Sequence, residues 1–226
     1  MTKAEKTRSY TKHLINSIEK AHGLKSSLPK EYFDKLESMA PVKTRHFLNN
    51  LCSLENARYL EVGLFKGGSF LCSAHGNPTL QMTGIENFSE FQDDGHKTNG
   101  KTVEQSFLEQ IHYFSSPNQR QRMKVLRENA FGIDVTKIGQ FDIYFYDGNH
   151  SREAHRLSLT HFDAALADPF ILVVDDWCCS FRGPHDGTLE AISQLGYRLR
   201  YFEELVIGPN VFVAVVEKPE QPNKAG

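Results

Sequence analysis

The apolar positions of this 226-residue chain gather in short continuous runs separated by stretches of helical spacing. Residues 1–27 are polar and read as a partly ordered helix. Leu28–Met39 reads as a short helix with Pro29 near its start. A second helix starts near Pro41 and runs through Phe47, Leu48 and Leu51 toward Leu54, on a period of 3.6. From Tyr59 onward the pattern alternates. Strand candidates are Tyr59–Val62, Met82–Glu86, Lys124–Arg127, Phe141–Tyr146 and Phe170–Val174, and helical candidates are Ser69–His75, Lys101–Phe114, Arg152–Leu166 and Asp186–Leu195. Tyr197–Tyr201 and Val211–Val216 close the chain as extended segments.

Continuous apolar strands separated by helices predict a parallel sheet covered on both faces. The last two segments leave no room for a helix between them. Phe202–Asn210 reads as a loop, with Gly208–Pro209 as its turn signal, so these segments form an antiparallel hairpin. The expected fold class is therefore α/β: a doubly wound, mostly parallel seven-stranded sheet with a C-terminal antiparallel hairpin strand. Residues 1–56 are expected to be an N-terminal helical extension or lid, and residues 57–226 the α/β domain. No internal repeat and no low-complexity tract interrupts this plan.

Composition changes little in that picture. At 39% hydrophobic and 24% charged, the chain is neither disordered nor fibrous. A net charge of −2 gives no global attraction to nucleic acid or to an acidic membrane. Residues 1–30 carry seven Lys or Arg against Glu5 and Glu19, which favours a solvated extension over a nucleic-acid contact. Cys52, Cys72, Cys178 and Cys179 form no C-x-x-C pair, so reduced structural thiols are expected. No apolar signal core follows the first charges, and no run approaches a membrane span. A soluble, cytoplasmic protein is the expectation.

The first candidate chemistry lies at a strand-to-helix junction holding Glu61, Gly63, Gly67, Gly68 and Ser69. Glycines there permit a tight turn and close backbone approach to a ligand. Free N–H groups at the next helix start can hold polar or anionic atoms, and Glu61 can accept from an amino group or water. The spacing is neither G-x-G-x-x-G nor G-x-x-x-x-G-K-[ST], which argues against a dinucleotide enzyme and an ATPase. A plain glycine-rich turn with Glu61 capping backbone groups would show the same residues. Glu86, 25 residues beyond Glu61 at the next strand end, supplies context, because a carboxylate there can accept both hydroxyls of a ribose. Asn129 follows the third strand and could bond an adenine edge, with Phe131 or Phe88 stacking on the ring or simply joining the core. Together these residues point to a nucleotide-like cofactor.

The second feature is acidic. Asp147 ends the strand FDIYFYDG, and Asp175 and Asp176 end FILVVDDW. In a parallel sheet these strand ends face one crevice. If the strands are neighbours, three acids converge, repel one another and raise each other's pKa unless a cation intervenes. An all-oxygen set suits Mg²⁺, Mn²⁺ or Ca²⁺ better than zinc. Helix caps or a water network are the structural alternative for these acids. His150 follows Gly148 and Asn149, a turn that swings it over the same crevice, where it could serve as a general base or only orient a ligand. Trp177 could wall the crevice, and His185, in the Gly183–Gly187 turn, could contact substrate.

These residues resemble a class I S-adenosylmethionine-dependent methyltransferase, and within that class the metal-dependent O-methyltransferases, over roughly residues 57–217. The resemblance makes Y-L-E-V-G-L-F-K-G-G-S the cofactor loop of a methyltransferase domain spanning 57–226, with Glu61 near the methionine amino group and Gly63 at the close-approach turn. Gly67 and Ser69 complete that loop, Glu86 matches the ribose-binding acid, and Asn129 stands where an acid usually contacts the adenine. Asp147, counted also among the cofactor contacts, matches a metal ligand, as do Asp175 and Asp176; the last is often Asn in the catechol and caffeoyl-coenzyme A branches. His150 falls at the family's general-base lysine. The implied activity is methyl transfer from S-adenosylmethionine to a hydroxyl of a small molecule, assisted by a divalent cation such as Mg²⁺. A metal-independent methyltransferase, a nicotinamide oxidoreductase and a non-catalytic binding or scaffold domain remain as alternatives. The N-terminal 56 residues could select substrate, close over the pocket or form a homodimer.

Overall fold

The computed structural model describes residues 1–89, 100–178, 182–207 and 210–220. The expected Gly208–Pro209 turn and Cys179 lie outside these residues. Seven strands, β1 (Arg58–Val62), β2 (Gln81–Ile85), β3 (Met123–Leu126), β4 (Phe141–Tyr146), β5 (Leu166–Val174), β6 (Arg198–Leu205) and β7 (Val211–Glu217), form one sheet in the order β3-β2-β1-β4-β5-β7-β6. The pairings β2–β3, β1–β2, β1–β4 and β4–β5 are parallel; β5–β7 and β6–β7 are antiparallel. The expected mostly parallel, seven-stranded sheet with a terminal hairpin is what the chain adopts.

Both faces of the central strands are buried, which is why they read as continuous apolar runs. Tyr59, Ile143, Phe145, Ile171, Val173 and Val213 face one core; Leu60, Tyr144, Tyr146, Leu172, Val174 and Ala214 face the other. The first core is closed by α1 (Lys3–His22), α3 (Val42–Leu51), α4 (Gly68–Ala74) and α5 (Val103–Phe114). The second is closed by α7 (Arg152–Phe162) and α8 (Gly183–Gln194). Two single turns, α2 (Glu31–Asp34) and α6 (Pro117–Arg120), complete the set.

The polar N-terminal segment is a regular helix of 20 residues, not a partly ordered one. Thr2 and Glu5 form a capping box at its start, and Thr7, Tyr10, Leu14, Ser17, Ile18 and Ala21 make its buried stripe. The stripe includes two small hydroxyl residues, so its period is faint in the sequence. Asp142 on β4 fastens this helix: its carboxylate accepts from Lys6 Nζ, the Tyr10 hydroxyl, and the backbone and side chain of Arg58. Burial pushes the Asp142 pKa up, but these donors outweigh it and hold it below the ordinary value.

Five boundaries depart from expectation. The helix expected over Leu28–Met39 shrinks to α2, and the chain beyond it runs as an irregular strap to Pro41. Arg45 holds that strap by donating to the carbonyls of Tyr32, Ser38 and Ala40, so its backbone groups are satisfied without a helix. β5 begins at Leu166 rather than Phe170, and α7 stops at Phe162. Pro169 obscures that strand start, but it falls where pairing jumps from Phe141–Leu166 to Ile143–Ile171, and such an irregularity tolerates a residue without an N–H. β6 continues to Leu205 through residues expected as loop; as an edge strand it leaves one face in water. Finally, α8 starts at Gly183, so His185 lies in a helical first turn and not in a free turn. No helix among the described residues is long and apolar enough to cross a membrane.

Candidate active site

The sheet order reverses between β1 and β4, and a crevice opens outside the carboxyl ends of such neighbouring strands. Backbone bonds continue the ladder past the strand ends: Gly63 N donates to Ile85 O, Asp147 N to Val62 O, and Asp175 N to Tyr146 O. The ends of β2, β1, β4 and β5 are thereby locked side by side. Gly63 is essential to this arrangement. Its φ is +93°, and a Cβ there would stand 2.0 Å from the carbonyl oxygen of Asp147. The close approach anticipated at this glycine is therefore made by the neighbouring strand end.

Glu61 is fully buried at the end of β1. It accepts from the Tyr59 hydroxyl at 2.6 Å and from the Ser69 hydroxyl. Burial lifts its pKa to about 7; the two hydroxyls pull the other way, and Asp175 adds to the rise. Glu86 at the end of β2 binds the loop that follows β1. Its carboxylate accepts from Leu64 N and Phe65 N at 3.1 Å each, and from Phe88 N at 3.0 Å. A carboxylate has about four acceptor positions, so about one is left for a ligand hydroxyl. Phe65 and Phe88 both have positive φ, 48° and 57°, and the bonds to Glu86 hold them there. Phe88 packs on Phe107 in the core. Asn129 is exposed and accepts from Phe131 N, capping a short 3₁₀ turn.

The loop from Leu64 to Ser69 is covered from outside by the strap. Lys66 pairs with Glu37 at 2.9 Å, Gln110 donates to the carbonyls of Lys66 and Glu37, and Ser38 sits so close that a Cβ on Gly68 would come within 2.2 Å of it. Gly67 caps α4 with φ +82°, its α-carbon facing the Phe107 ring. Nothing local in the sequence announces Glu37, Ser38 or Gln110 as neighbours of this loop.

Asp147, Asp175 and Asp176 come from adjacent strand ends, as expected for β4 and β5. Asp147 is partly buried, and its pKa is pushed well up by burial first, then by Asp175, Glu61, Asp176 and Glu86. Asp175 is 7% exposed, has one carboxylate oxygen without a hydrogen-bond partner, and is pushed up to about 7 by burial and by Asp176. Asp176 takes a left-handed backbone, φ +53°, and its Oδ2 stands 3.1 Å from Nε2 of His150. Donor atoms of Asp147, His150 and Asp176 all lie within 4.8 Å of one another, and Asp175 is not part of that group. Such a set, anionic and half-open to solvent, fits a divalent cation.

Trp177 is buried, with its ring stacked on Phe212 at 4.3 Å and its indole N–H without a partner. The His185 ring lies 4.9 Å from it, and Nδ1 of His185 faces Asp186 at 2.8 Å. The pair Gly183 and Gly187 marks a close packing of α8 against the turn after β4. A Cβ on Gly183 would fall 2.4 Å from the carbonyl oxygen of His150, and one on Gly187 2.1 Å from that of Arg152. These two glycines let α8 back directly onto the His150 turn.

No protein-family model and no curated protein matches the chain. Solved structures do. An O-methyltransferase from Bacillus cereus in complex with SAH superposes with a TM-score of 0.58 at 14% identity, over 90% of this chain and 91% of that one. The O-methyltransferase TomG from Streptomyces achromogenes, involved in tomaymycin synthesis and in complex with SAM, gives 0.57 at 17% identity, over 89% of each chain. An SAH-bound Podospora anserina methyltransferase gives 0.55 at 15% identity, over 92% and 88%. At these identities the likeness is one of architecture: this chain shares the fold of those three structures.

Proposed function

We propose that this protein is an enzyme that transfers the methyl group of S-adenosylmethionine to a hydroxyl of a small molecule, assisted by a divalent cation. The observation that carries the reading is the gathering of Glu61, Asp147, Asp175, Asp176 and His150 at the strand-order reversal of this sheet. The crevice is strongly anionic. A cationic sulfonium and a divalent ion are two charges that would relieve the repulsion among its acids.

In this reading the β1–α4 loop, Glu61 to Ser69, lies along the methionine part of the cofactor. Glu61, buried behind that loop with its oxygens held by the Tyr59 and Ser69 hydroxyls, stands near the ammonium without touching it. Glu86 takes one ribose hydroxyl while its other acceptor positions keep the loop in shape. The cation, when bound, polarises and orients the substrate hydroxyl. The hydroxyl oxygen forms a bond to the methyl carbon as the carbon–sulfur bond breaks, and the sulfur leaves as a neutral thioether. The proton passes to solvent, because the His150 side chain is 40% exposed and that edge of the crevice meets water. Trp177 and Phe212 form a rigid apolar wall on the substrate side.

The test is calorimetric titration with S-adenosylmethionine, with and without a divalent cation, followed by a screen of hydroxylated acceptors for methylated product. Cofactor binding in the micromolar range and methyl transfer that falls on chelation are expected. Absence of cofactor binding under both conditions would remove the proposal; transfer that survives full metal depletion would remove the cation from it.

A further inference from the structure

We infer that His150 is itself a ligand of the divalent cation, with Asp147 and Asp176 as its companions, so that the site prefers a transition-metal ion over Mg²⁺ or Ca²⁺. The inference rests on the metal-assisted reading above and changes two of its parts: the ligand set and the metal.

The geometry comes first. Two donors held at about 2.1 Å from one ion in neighbouring positions stand about 3.0 Å apart. His150 Nε2 and Asp176 Oδ2 are 3.1 Å apart, and Asp147 supplies an oxygen inside the same 4.8 Å group. The three donors come from two strand ends and one turn, which leaves one side of an ion open to substrate.

The supports of each ligand come second. Tyr146 donates its hydroxyl to Asn149 O, Asn149 accepts from Ser151 N, and Ser151 caps α7. Behind the turn, α8 presses Gly183 onto the carbonyl of His150. The imidazole is thus carried on a turn fixed from three directions. Asp176 holds its carboxylate toward that ring from a left-handed backbone, a strained state that a bound ion would stabilise.

Asp175 stands apart from these ligands. It is nine-tenths buried, one of its oxygens lacks a partner, and it does not share the ligand group. It lies outside the ligand group, next to Asp176 at the end of β5. The donor set is then one imidazole nitrogen and two carboxylates, not three carboxylates. Nitrogen donors suit iron, cobalt, nickel, copper and zinc, whereas all-oxygen sets suit Mg²⁺ and Ca²⁺. A ring nitrogen committed to an ion is also unavailable as the proton acceptor expected from the sequence.

Mn²⁺ is a usable probe, because its electron-spin-echo modulation reports directly coordinated ¹⁴N. The full-length protein, loaded with Mn²⁺, is expected to show ¹⁴N modulation that becomes a ¹⁵N pattern when histidine is ¹⁵N-labelled and disappears in His150→Gln. Mn²⁺ affinity should fall roughly 10-fold or more in His150→Gln, on the scale seen for perturbed metal sites. Co²⁺ should displace Mg²⁺ when Mg²⁺ is in large excess. Circular dichroism and S-adenosylmethionine titration of the variant check that its fold and cofactor site persist, and the labelling arm needs no variant. Bound Mn²⁺ without ¹⁴N modulation, or modulation that survives His150→Gln, would overturn the inference while leaving a metal-assisted enzyme intact. Failure to bind Mn²⁺, Co²⁺ or Mg²⁺ at all would overturn the metal-assisted reading, and the inference with it; cofactor binding would still report on methyl transfer separately.

Discussion

Replacing Glu61 by Gln is expected to remove a pH-dependent penalty on stability. Glu61 has no exposed surface, and burial raises its pKa from the ordinary value near 4.5 to about 7. In the unfolded chain the carboxyl ionises first as pH rises, so between pH 4.5 and 7 the unfolded state binds fewer protons and stability falls. Above pH 7 both states are ionised and this contribution is level. At 1.36 kcal/mol for each tenfold change, the interval from 4.5 to 7 corresponds to about 3 kcal/mol. Gln cannot ionise, and its carbonyl oxygen can still accept from one of the Tyr59 and Ser69 hydroxyls. Urea unfolding of both proteins without cofactor, at half-unit steps from pH 4.5 to 8, gives the difference directly. The stability of Glu61→Gln relative to the native chain should rise across that window and flatten above it. Asp147 and Asp175 also titrate upward, and because Glu61 raises Asp147 and Asp175 raises Glu61, the difference between the two proteins includes that coupling, which has the same sign. A relative stability independent of pH would refute the argument that Glu61 is held protonated by burial.

His155 has the opposite acid–base character. Burial, reinforced by His150, lowers its pKa to about 3, so the native state stays neutral while the unfolded chain gains a proton below pH 6.5; stability should fall by up to about 5 kcal/mol as pH drops from 6.5 toward 3, and His155→Phe should blunt that fall in acid unfolding curves. Gly63→Ala combines a φ of +93° with a Cβ 2.0 Å from the Asp147 carbonyl, so a loss of about 3 kcal/mol or more in denaturant unfolding is expected, and a loss below about 1 kcal/mol would mean the strand ends can separate freely. Asp142→Ala leaves Tyr10, Lys6 and Arg58 without their common acceptor and should cost about 2–3 kcal/mol. Tyr10→Phe should add little on that background, because the two side chains share one bond; full additivity would place the anchoring of α1 elsewhere.

How much of this was legible in the sequence depends on what kind of contact each residue makes. β1 and β4 and the later part of β5 are apolar on both faces, so periodicity exposes them whatever their neighbours. The beginning of β5 is hidden by Pro169, and α1 by a buried stripe that uses Thr7 and Ser17 where larger apolar residues would have announced a helix. The acids at strand ends are legible for the same reason as the strands: their position follows from where the apolar run stops. Their partners do not follow. Glu86 was readable as a strand-end acid, but its bonds go to the amides of Leu64, Phe65 and Phe88, a choice set by how the β1–α4 loop folds back.

The same distinction separates Asp175 from Asp176. Adjacent residues on a strand point to opposite faces, so two consecutive acids cannot both turn the same way without a change in backbone. Asp176 makes that change by leaving the extended region for φ +53°, and this brings its carboxylate to His150 while Asp175 remains buried. Sequence counts three acids at two strand ends and assigns them all to one ion. The backbone brings one of the adjacent pair within 4.8 Å of Asp147 and, in place of the other, an imidazole. Whether an ion prefers that exchange is a question of donor chemistry, nitrogen against oxygen, which no pattern of apolar and polar positions carries. It becomes decidable only once the turn from Asp147 to Ser151 and the glycine that backs it are seen to aim one ring at one carboxylate.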